Sequence, residues 1–341
     1  MTDAPVIQVT TYPFGRCGDK PRRLLDTSGF EVRYNPFGRR LRTSEVAPAV
    51  AGAHAIIAGT EPYPPVLLDE LADLKVISRV GVGLDNLDLQ YCLDRGIEVT
   101  YTPEAPADGV AELTISHILS MLRFVPQSDR SVRLKAWNRY LGFLIREKKV
   151  GLLGLGRIGS RVARLLQAFG AKVYGCDTAP NAALTDGLDI EWLAMQELFA
   201  ACDVVSVHVP LTPENRRLVT ARQIEAMPHG SYLVNTSRGG VVDEQAVLAA
   251  IKSGRLAGAA MDVFEEEPYE GPLAQQDNVI LTAHMGASAY RSRYLMELGA
   301  AEDCLRVLRG QAPAHRAFED SSVRLMPRKS WPTDRVRTNA D

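Results

Sequence analysis

Two α/β domains, each doubly wound on a parallel sheet, are predicted by this 341-residue sequence. Three observations carry the prediction. Short apolar runs alternate with helical patterns along almost the whole chain, as strands joined by helical crossovers do. A glycine-rich turn, Gly154-Leu-Gly156-Arg-Ile-Gly159, separates one such run from an amphipathic stretch. The length itself suits about two domains of ordinary size.

In chain order, Val6 to Val9, Ala55 to Ala58 and Val76 to Arg79 read as strands. Each leads into a turn-rich loop: Thr11 to Gly18, Gly59 to Pro65, and Gly81 to Asn86. A helix follows, with Ala111, Ile115, Ile118, Leu119 and Leu122 on one apolar face and Asp108 as candidate N-cap. A connector holding Trp137 leads to Lys149 to Leu153, which opens strand and helix alternation running to about Leu281. Beyond about Gly310 the chain turns polar and rich in Arg, Pro and Ser, so this stretch is expected to be loosely held. The layout predicted is discontinuous: residues 1–106 plus 289–341 form one domain, 107–288 a second, with a cleft between them.

Bulk properties exclude several function classes. A formal net charge of -2 provides no global field for nucleic acid or an acidic membrane. No apolar run reaches the ~20 residues that span a bilayer. The N-terminus lacks the basic and apolar regions of a secretory signal. The five cysteines are scattered, without metal-ligand spacing. A cytoplasmic protein with free thiols and no metal is expected.

The glycine turn has the context a dinucleotide site needs. The strand Lys149-Val-Gly-Leu-Leu153 precedes it, and Ile158, Val162, Leu165, Leu166 and Phe169 recur behind it at helical spacing until Gly170. Gly154 permits the tight turn, Gly156 lets backbone approach a pyrophosphate, and Gly159 lets helix pack on strand. The helix N-terminus offers N–H groups to the phosphates. A second strand, Lys172-Val-Tyr-Gly-Cys, ends at Asp177, placed to bind ribose hydroxyls and repel a 2′-phosphate. NAD is therefore expected over NADP.

Three downstream segments end apolar runs with polar residues: Leu233-Val-Asn-Thr-Ser-Arg238, Ala260-Met-Asp262 with Glu267-Pro, and Leu281-Thr-Ala-His284. Ligands of open α/β sheets lie beyond the carboxyl ends of strands. A guanidinium there can grip a carboxylate through paired hydrogen bonds and polarise the neighbouring carbonyl. An imidazole can deliver a proton as hydride arrives, and a carboxylate beside an imidazole favours its protonated form. Singly, Arg238 suits a surface ion pair, Glu267 a solvated face and His284 a satisfied core position; together, after a dinucleotide fingerprint, they suit keto-acid reduction. His54, His117, His229 and His315 read as structural, whereas His208, in Val207-His-Val-Pro210, ends a strand near the expected cofactor site.

At these residues the chain resembles the D-isomer-specific 2-hydroxyacid dehydrogenases of the phosphoglycerate dehydrogenase-like type. The resemblance spans about residues 50 to 310. It rests on Val80-Gly-Val-Gly-Leu-Asp-Asn86, Gly151 to Gly159, Asp203 to Pro213, Asn235-Thr-Ser-Arg-Gly239, Asp262-Val-Phe with Glu267-Pro, and His284-x-Gly286, in family order. It implies a flavodoxin-like substrate domain and a Rossmann nucleotide domain. The implied catalytic set is Arg238, Glu267 and His284, with His284 as proton donor. Arg157 and Ile158 would meet the pyrophosphate, Asp177 the adenosine ribose, Thr236 and Ser237 the cofactor cleft, and Asp262 the nicotinamide carboxamide; His208, Pro210 and Gly286 complete the cofactor set. Backbone N–H groups of Val82 and Gly83 would join Arg238 in binding the substrate carboxylate. The implied activity is NAD-dependent interconversion of a small 2-oxo acid and its D-2-hydroxy acid. The implied assembly is a homodimer through the nucleotide domain, with residues 124–146 as its arm.

The sequence departs from the pattern at Thr282-Ala-His284, where the family usually has Pro before His. It also departs at Thr102 to Asp108, which puts 3-phosphoglycerate in doubt as substrate. With ~50 residues after the catalytic segments no added regulatory domain is expected, and Glu267 argues against the related formate dehydrogenases. An alternative reading is an NAD(H)-binding corepressor-like protein on the same scaffold. Substrate choice is expected to depend on the loops Thr11 to Gly18, Gly59 to Pro62 and Thr102 to Asp108. Arg16, Arg39, Arg40 and Arg42 read as a solvated basic face or as a site for a phosphate or phosphonate tail.

Overall fold

The computed structural model describes residues 4–320 and Val323. The chain divides into two compact units: residues up to Pro106 together with those from Ala289 onward, and Ala107–Ser288. Both are built on wholly parallel sheets.

The first unit has strands β1 (Val6–Val9), β2 (Glu31–Tyr34), β3 (Ala55–Ala58), β4 (Val76–Arg79) and β5 (Glu98–Thr100), in spatial order β2-β1-β3-β4-β5. This is the flavodoxin-like order, with its switch point between β1 and β3. Strands β1, β3 and β4 are buried at every residue, because helices cover both faces and no side chain has a wet side to turn to. Edge strand β2 alternates exposed and half-buried positions. The long helix Tyr290–Leu308 packs on β3, β4 and β5. Ser78 Oγ donates to the Ala300 carbonyl at 2.8 Å, which pins that helix to the sheet.

Residues 311–320 correct the expectation of a loosely held tail. Arg316 donates to both oxygens of Glu98 at 2.9 and 2.7 Å and pairs by backbone with Thr100. The buried Asp303 carboxylate accepts the N–H groups of Ala314 at 2.7 Å and His315 at 3.1 Å. Polar composition here serves specific pairing, which composition alone cannot distinguish from solvation. The remainder of the Arg- and Ser-rich tail lies outside the described residues.

The second unit has strands β6 (Lys149–Leu153), β7 (Lys172–Cys176), β8 (Ile190–Trp192), β9 (Val204–Val207), β10 (Ser231–Asn235), β11 (Leu256–Met261) and β12 (Val279–Leu281). Their order, β12-β11-β10-β9-β6-β7-β8, is the Rossmann order with one strand added. Successive residues serve opposite faces: Val205, Leu233 and Ala259 join one apolar core, and Val204, Val234 and Ala260 join the other. Strand order reverses between β6 and β9, so the carboxyl ends of these strands open the crevice where such sheets bind ligands.

The helix Ala107–Leu122 begins one residue before the expected cap, which places Asp108 in its first turn. There it accepts from Arg161 Nε at 2.6 Å, and its charge still suits a helix N-terminus. Among the described residues no helix is long and apolar enough to cross a membrane.

Candidate active site

The nucleotide turn is built by close contact. Gly154 has φ +94°, and a Cβ there would stand 2.8 Å from the His208 carbonyl oxygen. A Cβ on Gly159 would fall 2.0 Å from the Gly154 oxygen. Both positions therefore exclude side chains. Gly156, the N-cap of helix Arg157–Ala168, differs: a Cβ there meets nothing within 4 Å, and the N-cap residue itself makes no side-chain cap bond. Open space thus stands at the helix N-terminus, which is the geometry a pyrophosphate requires. Ile158 and Arg157 lie half-buried in the first turn.

Asp177 stands one residue past β7. Its Oδ2 accepts the Leu155 N–H at 2.7 Å and its Oδ1 the Ala179 N–H at 2.9 Å. The carboxylate is thereby fixed beside the glycine turn, and each oxygen retains a lone pair. His208 follows β9. Its Nε2 meets Ser206 Oγ at 2.9 Å, while Nδ1 is shut off from solvent without a partner among the described residues. Burial pushes this imidazole down to about 3, so it is neutral at pH 7 and adds no positive charge to the crevice. Pro210 is exposed two residues on. An open glycine cradle, a fixed carboxylate and a shielded ring nitrogen fit a dinucleotide.

The segment after β10 is organised by Asn235, which is fully buried. Its Oδ1 accepts the N–H and Oγ–H of Ser237 at 3.0 and 2.8 Å, and its Nδ2 donates to the Arg238 carbonyl at 2.9 Å. Thr236 Oγ1 meets Thr114 Oγ1 at 2.9 Å. Arg238 Nη1 donates to the Ser237 carbonyl at 2.7 Å. A Cβ on Gly239 would stand 1.9 Å from the Phe264 carbonyl carbon, so this backbone is jammed against the segment that carries Glu267.

His284, after β12, has φ +49°, a left-handed conformation that is unfavourable for a side chain with a Cβ. Asp262 holds it there. This buried carboxylate accepts from Thr282 Oγ1 at 2.6 Å, Met285 N at 2.9 Å and Gly286 N at 2.8 Å. The Asp262 carbonyl takes the His284 N–H at 2.8 Å. A nicotinamide carboxamide was expected at Asp262; three of about four lone-pair sites already serve this turn. Imidazole Nδ1 then lies 3.1 and 3.0 Å from the two Glu267 oxygens. Glu267 Oε1 is itself held by the Phe264 N–H at 3.2 Å. A carboxylate only accepts, so Nδ1 carries hydrogen and Nε2 is left to exchange a proton with a ligand.

Arg238, Glu267 and His284 therefore stand at the carboxyl ends of β10, β11 and β12, and the glycine turn, Asp177 and His208 at those of β6, β7 and β9. Val82 and Gly83 belong to the first unit, where both are partly exposed in the loop after β4. That loop rests on Arg79, read from sequence only as a strand residue. Arg79 is buried, and a Cβ on Gly81 would stand 2.9 Å from its Nη1. Its signal was a lone arginine ending an apolar strand. Asn235, at the same relative place in β10, is quoted in the sequence motif without a role of its own.

The family description D-isomer specific 2-hydroxyacid dehydrogenase, NAD binding domain, matches residues 115–286. A glyoxylate reductase of Thermofilum pendens is 37% identical over 271 residues, covering 74% of this chain and 78% of the reductase. A D-3-phosphoglycerate dehydrogenase of Methanocaldococcus jannaschii is 38% identical over 249 residues, covering 72% of this chain and 48% of that enzyme. The chain thus spans about half the length of such relatives. The solved structure of D-lactate dehydrogenase from Aquifex aeolicus, complexed with NAD and lactic acid, gives a TM-score of 0.80 at 26% identity and covers 93% of this chain and 100% of that one. The chain therefore belongs to the D-isomer-specific 2-hydroxyacid dehydrogenase family and carries its NAD-binding domain.

Proposed function

We propose that the protein is an NAD-dependent dehydrogenase interconverting a small 2-oxo acid and its D-2-hydroxy acid. The observation that carries this reading is the His284–Glu267 pair beside the Arg238 segment, at the same sheet end as the dinucleotide cradle. NADH held at the glycine turn and Asp177 would supply the hydride that the C2 carbonyl carbon accepts. Arg238 grips the substrate carboxylate and draws electron density from that carbonyl. In the first unit, the backbone N–H groups of Val82 and Gly83 are assigned to carboxylate binding as an anion nest. His284 Nε2 gives its proton to the carbonyl oxygen as the alkoxide forms. Glu267 holds the ring by Nδ1 and so leaves Nε2 as the atom that gives and takes the proton. In oxidation the neutral ring takes the hydroxyl proton back. Asp177, Thr236, Ser237, Pro210 and Gly286 are assigned to the cofactor, and Asp262 acts on it chiefly through the turn it holds.

A homodimer is proposed from the surface of residues 125–144. Leu134 is 74% exposed, Trp137 77% and Leu141 94%, three large apolar side chains within eight residues that nothing in this unit covers among the described residues. Beside this surface runs a groove lined by Ile115, Leu119 and Val125.

Three outcomes are expected. Wild-type enzyme should prefer NADH over NADPH by kcat/KM, and Asp177→Ala should narrow that preference; NADPH preference in the wild type, or an unchanged ratio in the variant, refutes the assignment. His284→Ala should slow reduction on the order of 10²–10⁴-fold, the range for a lost general acid. Glu267→Gln should slow it less, and the double variant should cost little beyond His284→Ala, because the two groups act as one unit. Fully multiplicative losses, measured with pyruvate, glyoxylate or hydroxypyruvate, would show that they do not. Binding of NADH with no turnover of any 2-oxo acid would favour the corepressor-like reading. Light scattering should give the mass of a dimer for wild type and of a monomer for Trp137→Ser/Leu141→Ser; a monomeric wild type contradicts the proposed arm.

A further inference from the structure

The loop Thr11–Gly18 leaves the carboxyl end of β1, at the switch point of the first unit's sheet. It is fastened to helix Tyr290–Leu308 by a pair of charges that the mechanism does not use. Glu297 is fully buried, and Arg293, one helical turn before it, is 17% exposed. Arg293 Nε donates to Glu297 Oε1 at 2.6 Å. The other carboxylate oxygen accepts the Gly15 N–H at 2.7 Å, from a residue 282 positions away. Arg293 Nη2 donates to Thr11 Oγ1 at 2.8 Å and also to the Pro13 carbonyl. The two side chains thus grip the loop at three places. A fourth contact is steric: a Cβ on Gly18 would stand 2.6 Å from the Tyr294 ring.

A fully buried carboxylate is costly unless paired and hydrogen-bonded. Burial raises Glu297 above the ordinary carboxyl range, and the Gly15 N–H and Arg293 act against that rise. For stability alone, an apolar pair of similar volume would serve as well or better. What the charged pair adds is direction, because its donors and acceptor fix one backbone path for the loop.

We infer that Arg293 and Glu297 are positioning residues that hold the Thr11–Gly18 loop in its substrate-reading shape. Neither side chain meets the substrate. They act through a loop that stands where open α/β sheets take their ligands. The inference rests on the proposed dehydrogenase reading and goes beyond it by assigning specificity to a pair outside the catalytic set. Preorganisation of this kind is felt in substrate binding more than in the chemical step, since the proton donor and the cofactor cradle belong to other segments.

The test uses the full chain. Glu297→Gln, Arg293→Met, the double variant Arg293→Met/Glu297→Met, and Thr11→Val are compared with wild type. Readouts are kcat and KM for a panel of 2-oxo acids of increasing tail length, NADH affinity by fluorescence, and hydrogen exchange across residues 11–18. Each charge variant should raise KM about tenfold and flatten discrimination along the panel. NADH affinity and kcat should stay within about threefold, and amide exchange in the loop should rise about tenfold. Thr11→Val, which removes one acceptor at constant shape, should shift KM and exchange in the same direction by a smaller factor. It supplies the answer if the charge variants fail to fold. Unchanged exchange in the folded variants would show that the pair does not hold the loop. Faster exchange with unchanged KM and unchanged discrimination would show that the loop does not read the substrate. Either result overturns the inference, as does a lower Tm with both readouts unmoved. A wild type that turns over no 2-oxo acid would instead defeat the dehydrogenase reading; loop exchange would still decide whether the pair holds the loop.

Discussion

The buried carboxylate of Asp262 is the interaction on which the candidate site depends. It binds a hydroxyl and two backbone N–H groups of the turn after β12, and so keeps His284 in a left-handed conformation. That conformation costs about 1–2 kcal/mol for a residue with a Cβ. Hydrogen bonds to a charged acceptor contribute about 1.5–3 kcal/mol each, so the three together outweigh the strain. The turn is fixed at the sheet, through the strand end that carries Asp262. The imidazole is therefore aimed by the core of the domain and only then steadied by Glu267.

The same economy appears at the glycine turn. Gly154 and Gly159 are required because backbone passes where a Cβ would stand, whereas Gly156 is required because nothing stands there. Contact in the first case fixes the helix against β6 and β9; space in the second leaves the helix N-terminus open to an anion. Reversal of strand order between β6 and β9 separates the two flanking helical layers at that point, which is why both demands meet at one place.

Much of this was legible in the sequence, and the legible part was local. Strand β6, the glycine spacing and Asp177 fall within 29 residues and carry their context with them. Both sheets announced themselves through buried apolar runs, since parallel strands covered on both faces have no polar side to show. Arg238, Glu267 and His284 stood out because polar residues ended such runs. The supporting groups were illegible for the opposite reason. Arg79 reads as a strand residue and Asn235 as part of a motif without a role of its own, and their roles depend on which backbone atoms fold back onto them. Asp262 was read for its reach toward a cofactor, yet its partners lie 20 to 24 residues on in the chain. Arg293 and Glu297 meet a loop at the other end of the sequence, and no periodicity signals a contact of that range. Arg316 and Asp303 fasten a segment whose composition resembled a solvated tail.

The most direct measurement of the central claim is kcat for 2-oxo acid reduction by Asp262→Asn, taken with NADH affinity and circular dichroism. The amide keeps the volume and one acceptor but turns an N–H group toward a backbone donor, so the turn should lose its hold on His284. The account predicts a fall in kcat of about a hundredfold or more in a folded protein, with a much smaller change in NADH affinity. Wild-type kcat in that folded variant would contradict it.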